Sequence, residues 1–82
     1  MAIQIRNILQ GTDKHCSFEI HGSADDCDFV ERFLADAGIK TSGRKKIAKI
    51  PVYKVFAATN ANTLRKVLEG DDNFAVQPPD PE

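Results

Sequence analysis

The sequence predicts an α+β fold: a mostly antiparallel sheet of four or five strands with two helices packed on one face. Three observations predict it. Residues 15–22, HCSFEIHG, alternate apolar and polar side chains with the period of a half-buried strand. Residues 23–38 then repeat Phe29, Val30, Phe33, Leu34 and Ala37 at helical spacing between a capping serine and a glycine. Beyond them the chain reads as strand, strand, helix and a last short apolar stretch. At 82 residues this is one domain, 1–77, followed by the acidic, proline-rich tail 78–82, which is expected to be extended and mobile.

Each element has a local cause. Residues 2–9, AIQIRNIL, alternate in part and read as a strand, with Gly11, Thr12 and Asp13 as the turn into the second. In that second strand Cys16, Phe18 and Ile20 share the inward face, and His15, Ser17, Glu19 and His21 the outward one. Ser23 opens the first helix; Asp26, three positions on, imitates a capping box. Fourteen residues rise about 21 Å, enough to cross a small sheet, and Gly38 suits the left-handed residue after the end.

Residues 39–58 read as a third strand, a basic turn at Ser42 to Lys46, and a fourth strand from Ile50 to Ala58. Pro51 cannot donate to a ladder, so it belongs at that strand's start or on an edge. A second helix follows, capped by Thr59 or Asn60, with Leu64, Val67 and Leu68 on one side and Gly70 after it. Phe74 to Gln77 supply a short last strand.

From residue 16 onward the order β-α-β-β-α-β resembles the ferredoxin-like split βαβ arrangement. In that arrangement the strand after residue 15 is central. The N-terminal strand then finds a neighbour only by displacing the short last one.

The charge is segregated along the chain. Residues 1–37 carry seven acids against three bases, residues 38–68 carry eight bases and no acid, and residues 69–82 carry five acids and no base. The overall charge of −1 therefore conceals a dipolar chain, with a basic segment suited to a polyanion or an acidic protein surface. The competing expectation is that this segment folds against the acidic helix beginning near Asp25, so that the charges satisfy each other.

Within the basic segment, GRKKIAK places Gly43, Lys45, Lys46, Ala48 and Lys49 as in the run that opens the last helix of double-stranded RNA-binding domains, which it resembles over seven residues. Pro51 stands where that helix would continue, and VYKVFAA after it suits a strand, so the family is not assigned. What the segment predicts is a basic turn, residues 40–54, in which Lys40, Arg44, Lys45, Lys46, Lys49 and Lys54 track phosphates. Four to six such contacts give a log K against log salt slope near −4 to −5 on a duplex. In the fourth strand Val52, Lys54 and Phe56 share a face, and the lysine turns that face to solvent, leaving Val52 and Phe56 partly exposed as a contact patch; the competing expectation is that both faces are buried.

Other chemistries find little support. His15 and His21 lie about 20 Å apart along an extended strand, too far to share one ion. Asp25, Asp26 and Asp28 belong to a helix first turn, where the backbone dipole favours acids. Cys27 lies near a helix start but among aspartates, and no base and orienting group accompany it. No metal, cofactor or catalytic role is expected.

The N-terminus lacks the pattern of a secretory signal, no apolar run is long enough for a membrane helix, and two cysteines are too few for a disulfide framework, so a reduced cytoplasmic setting is expected. The leading functional expectation is a non-catalytic module that binds nucleic acid or a ribonucleoprotein through its basic turn. The alternative is a protein–protein regulator or inhibitor. It would dock through Val52 and Phe56 or through the helix flank of Asp25, Asp26, Asp28, Glu31 and Asp36, and could form a homodimer.

Overall fold

The computed structural model describes residues 2–47 and 51–77. Seven elements follow in order: β1 (Ile3–Thr12), β2 (His15–His21), α1 (Ala24–Asp36), β3 (Thr41–Lys46), β4 (Val52–Ala57), α2 (Ala61–Glu69) and β5 (Phe74–Val76). The five strands form one sheet in the order β3-β4-β2-β1-β5, antiparallel except for the β1–β5 pair. The fold is α+β, as the sequence predicts.

The ferredoxin-like expectation meets a variation. β1 lies between β2 and β5, so the N-terminal strand has pushed the last strand outward to the sheet edge. The physical reason is length: β1 offers a long hairpin partner to β2, whereas β5 is only three residues and pairs just Ile3, Gln4 and Ile5.

Both helices cover the same face. One cluster of buried side chains joins Ile5, Cys16, Phe18, Ile20, Val55, Ala57 and Phe74 of the sheet to Cys27, Val30 and Leu34 of α1 and Leu64 and Leu68 of α2. Local chemistry sets the helix ends. The Ser23 hydroxyl accepts from Asp26 N and Asp26 accepts from Ser23 N, a complete capping box with an aspartate in the usual glutamate place. Gly38, at φ 83°, ends α1: its N–H bonds Ala35 O and that of buried Ile39 bonds Leu34 O. Asn60 caps α2 through Thr63 N, and Gln10 on β1 accepts from Ala61 N at 2.7 Å, tying the helix start to the sheet.

Two bulges decide which side chains face away from the helices. In β1 the register slips by one residue between Arg6 and Leu9, where Asn7 adopts φ 52°. Its N–H donates to the Gln77 side chain at 3.0 Å. After the slip Ile8 packs against the core and Leu9 faces solvent, 58 % exposed.

In β3 the slip falls between Ser42 and Lys45, where Gly43 adopts φ 70° and stands with Arg44 opposite Val55. This corrects the expected basic turn at Ser42–Lys46: those residues are an edge strand, and the connection to β4 falls after them. Lys49 and Ile50, like the tail 78–82, lie outside the described residues.

Candidate functional site

The face of the sheet opposite the helices carries most of the unpaired chemistry. The ladder register arranges its side chains in rows across the strands. One row runs Ser42, Phe56, Ser17, Leu9 over β3, β4, β2 and β1; the next runs Lys45, Lys54, Glu19, Arg6. Lys40 continues this face at the start of β3, its carbonyl accepting from Ala58 N at 2.8 Å. With strands about 4.8 Å apart, the row from Lys45 to Arg6 is about 14 Å wide.

The electrostatics of this face are one-sided. Arg6, Lys40, Lys45 and Lys54 bring four cations and Glu19 one carboxylate, which lies 3.3 Å from His21 Nε2. Among the described residues no ion pair involves Lys40, Lys45 or Lys54. The Lys54 ammonium instead stands 5.6 Å from the centroid of the Phe56 ring. Like charges directly opposite each other destabilise a sheet pair, and Lys45 faces Lys54 in that way.

Phe56 is 45 % exposed, and its ring lies across Gly43 on the neighbouring strand. A Cβ at residue 43 would stand 2.7 Å from Phe56 Cδ2 and 3.2 Å from Cε2, so only glycine leaves the ring this seat. Beyond β2 and β1, Gln4, Arg6, Ala75, Val76 and Gln77 line a shallow groove at the opposite side of the same sheet. Arg6 donates to the Gln4 side chain beside it.

Several expected site residues are placed elsewhere. Arg44 turns to the helix side of the sheet, where its Nε donates to Glu31 Oε2 at 2.9 Å and its Nη2 to Asp28 Oδ1 at 2.6 Å. These contacts hold its pKa above its ordinary value, and Thr41 adds a hydroxyl donor to Glu31 Oε1 at 3.1 Å. Arg44 and the acidic helix therefore satisfy each other, the competing expectation, while Lys45 does not follow it. The cause is the bulge, which reverses the sides on which residues 44 and 45 would lie in a regular strand.

Lys46 pairs with Tyr53, whose side chain packs on the core, so the lysine sits at the helix-side edge. Val52, expected to be exposed beside Phe56, is 4 % exposed and is corrected to a buried residue. On the acidic flank Asp26 is used in the cap and Asp28 and Glu31 bind Arg44, while Asp25 and Asp36 are exposed.

Sequence reasoning missed Arg6 and Leu9. The signal was the broken alternation of AIQIRNIL at Asn7, a residue that accepts the left-handed conformation and so marks a bulge.

The cysteines are packing groups. Cys16 and Cys27 are both buried and unbonded to each other. Burial pushes the Cys27 thiol up to about 11, with Glu31, Asp26 and Asp28 adding to it against Arg44, and burial also raises Cys16. Both are therefore protonated near neutral pH. Among the described residues no cluster of His, Cys, Asp and Glu has the geometry to hold a metal ion. No helix there is long and apolar enough to cross a membrane.

In comparisons with known protein families, curated proteins and solved structures, the chain matches none.

Proposed function

We propose that this protein is a non-catalytic binding module that holds a polyanion, nucleic acid, on the helix-free face of its sheet. Lys40, Lys45, Lys54 and Arg6 contact phosphates. The observation that carries this reading is the Lys45–Lys54 pair: two ammonium groups directly opposite on an open sheet face, with no carboxylate bonded to either among the described residues. Such a pair costs the free protein stability, and an anion seated between the two lysines removes the cost. Phosphate contacts of this kind give affinity and position, with little sequence preference.

The test is fluorescence anisotropy of the pure protein with labelled single-stranded and duplex DNA and RNA, from about 50 to 200 mM salt. Four phosphate contacts on a single strand give a log K against log salt slope of about −3. Lys45→Gln and Lys54→Gln should each make that slope shallower by somewhat less than one. Absence of binding to every one of these probes at about 50 mM salt would overturn the reading. The exposed Asp25 and Asp36 and the apolar Phe56 and Leu9 would then direct the search to a protein partner.

A further inference from the structure

We infer that the ligand of this face is a single-stranded nucleic acid with an unpaired base stacked on Phe56. The inference rests on the polyanion reading above and adds to it the part of the nucleotide that is not phosphate.

Phe56 is an aromatic ring left half exposed on the open face. A side chain at residue 43, the cross-strand position beside it, would displace the Phe56 ring. Instead residue 43 is a glycine in the left-handed region at the bulge, and the Cδ2–Cε2 edge of the ring takes the space its Cβ would need, with 45 % of the residue open to solvent. An aromatic ring seated against the neighbouring strand and half open to solvent can serve as a stacking platform, because every base has a π-face and none needs a hydrogen bond to use it.

Its surroundings are those of a nucleotide. In the same row stand Ser42 and the buried Ser17 on either side of Phe56, and Leu9, exposed by the bulge in β1, adds an apolar side chain. The adjacent row supplies Lys45, Lys54 and Arg6 for the backbone, one strand-residue pair away along the sheet. A row carrying Phe56 and Leu9 beside a row of three cations and one carboxylate, Glu19, suits a strand that lays its bases on one side and its phosphates on the other.

In the free protein the Lys54 ammonium occupies the place over the ring, 5.6 Å from its centroid. That cation–π contact is weak at an exposed site. A base takes the ring, and the flexible lysine stem carries the ammonium to the adjacent phosphate. A duplex cannot make this exchange without unstacking, since its bases are already paired and covered.

The chain contains no Trp, so Phe56→Trp introduces a single indole reporter at the platform. The probes are a single-stranded thymidine oligomer of about ten nucleotides, an abasic strand of the same backbone, and a duplex of the same length. The expected result is quenching of the indole by the thymidine strand only. Phe56→Ala and Phe56→Leu, each first shown to be folded by circular dichroism, should lose about 5- to 100-fold in affinity for that strand while binding the abasic strand as before. Equal affinity for all three probes, or unchanged affinity in Phe56→Ala, would overturn the stacking and leave the polyanion reading standing. If none of the probes binds the unmodified protein at low salt, both readings fall.

Discussion

Arg44 Nε donates to Glu31 Oε2 at 2.9 Å, joining the edge strand β3 to the helix α1. With Asp28 bonded to the same guanidinium and Thr41 to the same carboxylate, the edge strand is latched at its bulge. The most basic stretch of the chain is thereby divided: one of its charges holds the fold together, and its neighbours are left for the opposite face.

Arg44→Ala should lower stability by about 1 kcal/mol, since partly exposed charge networks are worth little more than that. For a domain of this size the melting temperature falls by about 4–8 °C per kcal/mol. The loss should shrink in high salt, which already weakens the latch in the unmodified protein. Nucleic-acid affinity, measured well below the melting temperature, should change less than twofold. A large loss of affinity would show that Arg44 leaves its carboxylates to bind the ligand.

Gly43→Ala should destabilise by about 1–2 kcal/mol for the left-handed backbone alone, with a further loss from the contact at 2.7 Å with Phe56. The second part disappears in the background of Phe56→Ala. A double-mutant cycle by urea unfolding should therefore return a coupling above about 0.5 kcal/mol between the two positions. Additive effects would mean that the ring does not rest on residue 43 in solution.

Lys45→Glu places opposite charges at the Lys45–Lys54 pair. It should raise stability by some tenths of a kcal/mol, up to about 1, while weakening nucleic-acid binding at 50 mM salt. Improved melting together with reduced affinity is the signature of a charge kept for a ligand. If both fall together, the substitution has damaged the fold.

The Cys27 thiol, raised to about 11 by burial, binds its proton more tightly folded than unfolded. The stability this contributes is complete below the unfolded-state pKa, near 9, and is lost as pH rises toward about 11. Urea midpoints measured from pH 8 to 11 should fall over that window, and Cys27→Ala should flatten the part that Cys27 contributes. Below it, both thiols should react slowly with a disulfide reagent until urea unfolds the chain.

Much of the fold was legible in short range because local rules have local causes. The Ser23–Asp26 cap, the glycine at residue 38, the alternation of Cys16, Phe18 and Ile20, and the asparagine at residue 60 each act within a few residues of chain. The candidate site was legible only in part. Phe56 and Lys54 were placed on one face by alternation, and they share it. Alternation also placed Val52 there as an exposed residue, but burial depends on what packs over a side chain, which spacing does not encode.

By itself the sequence determined the fold class, the order of the elements, the helix ends and the segregation of charge along the chain. Only the tertiary structure decided where that charge points. Two one-residue bulges, at Asn7 and Gly43, reverse the side-chain phase of their strands. They send Arg44 to the acidic helix and Lys45 and Leu9 to the open face. The insertion of β1 between β2 and β5 then brings Arg6 onto that face, into line with Lys54 and Lys45. The physical reason is the period of two along a strand: one extra residue moves every later side chain to the other face, and only the pairing with a neighbouring strand reveals that it is there.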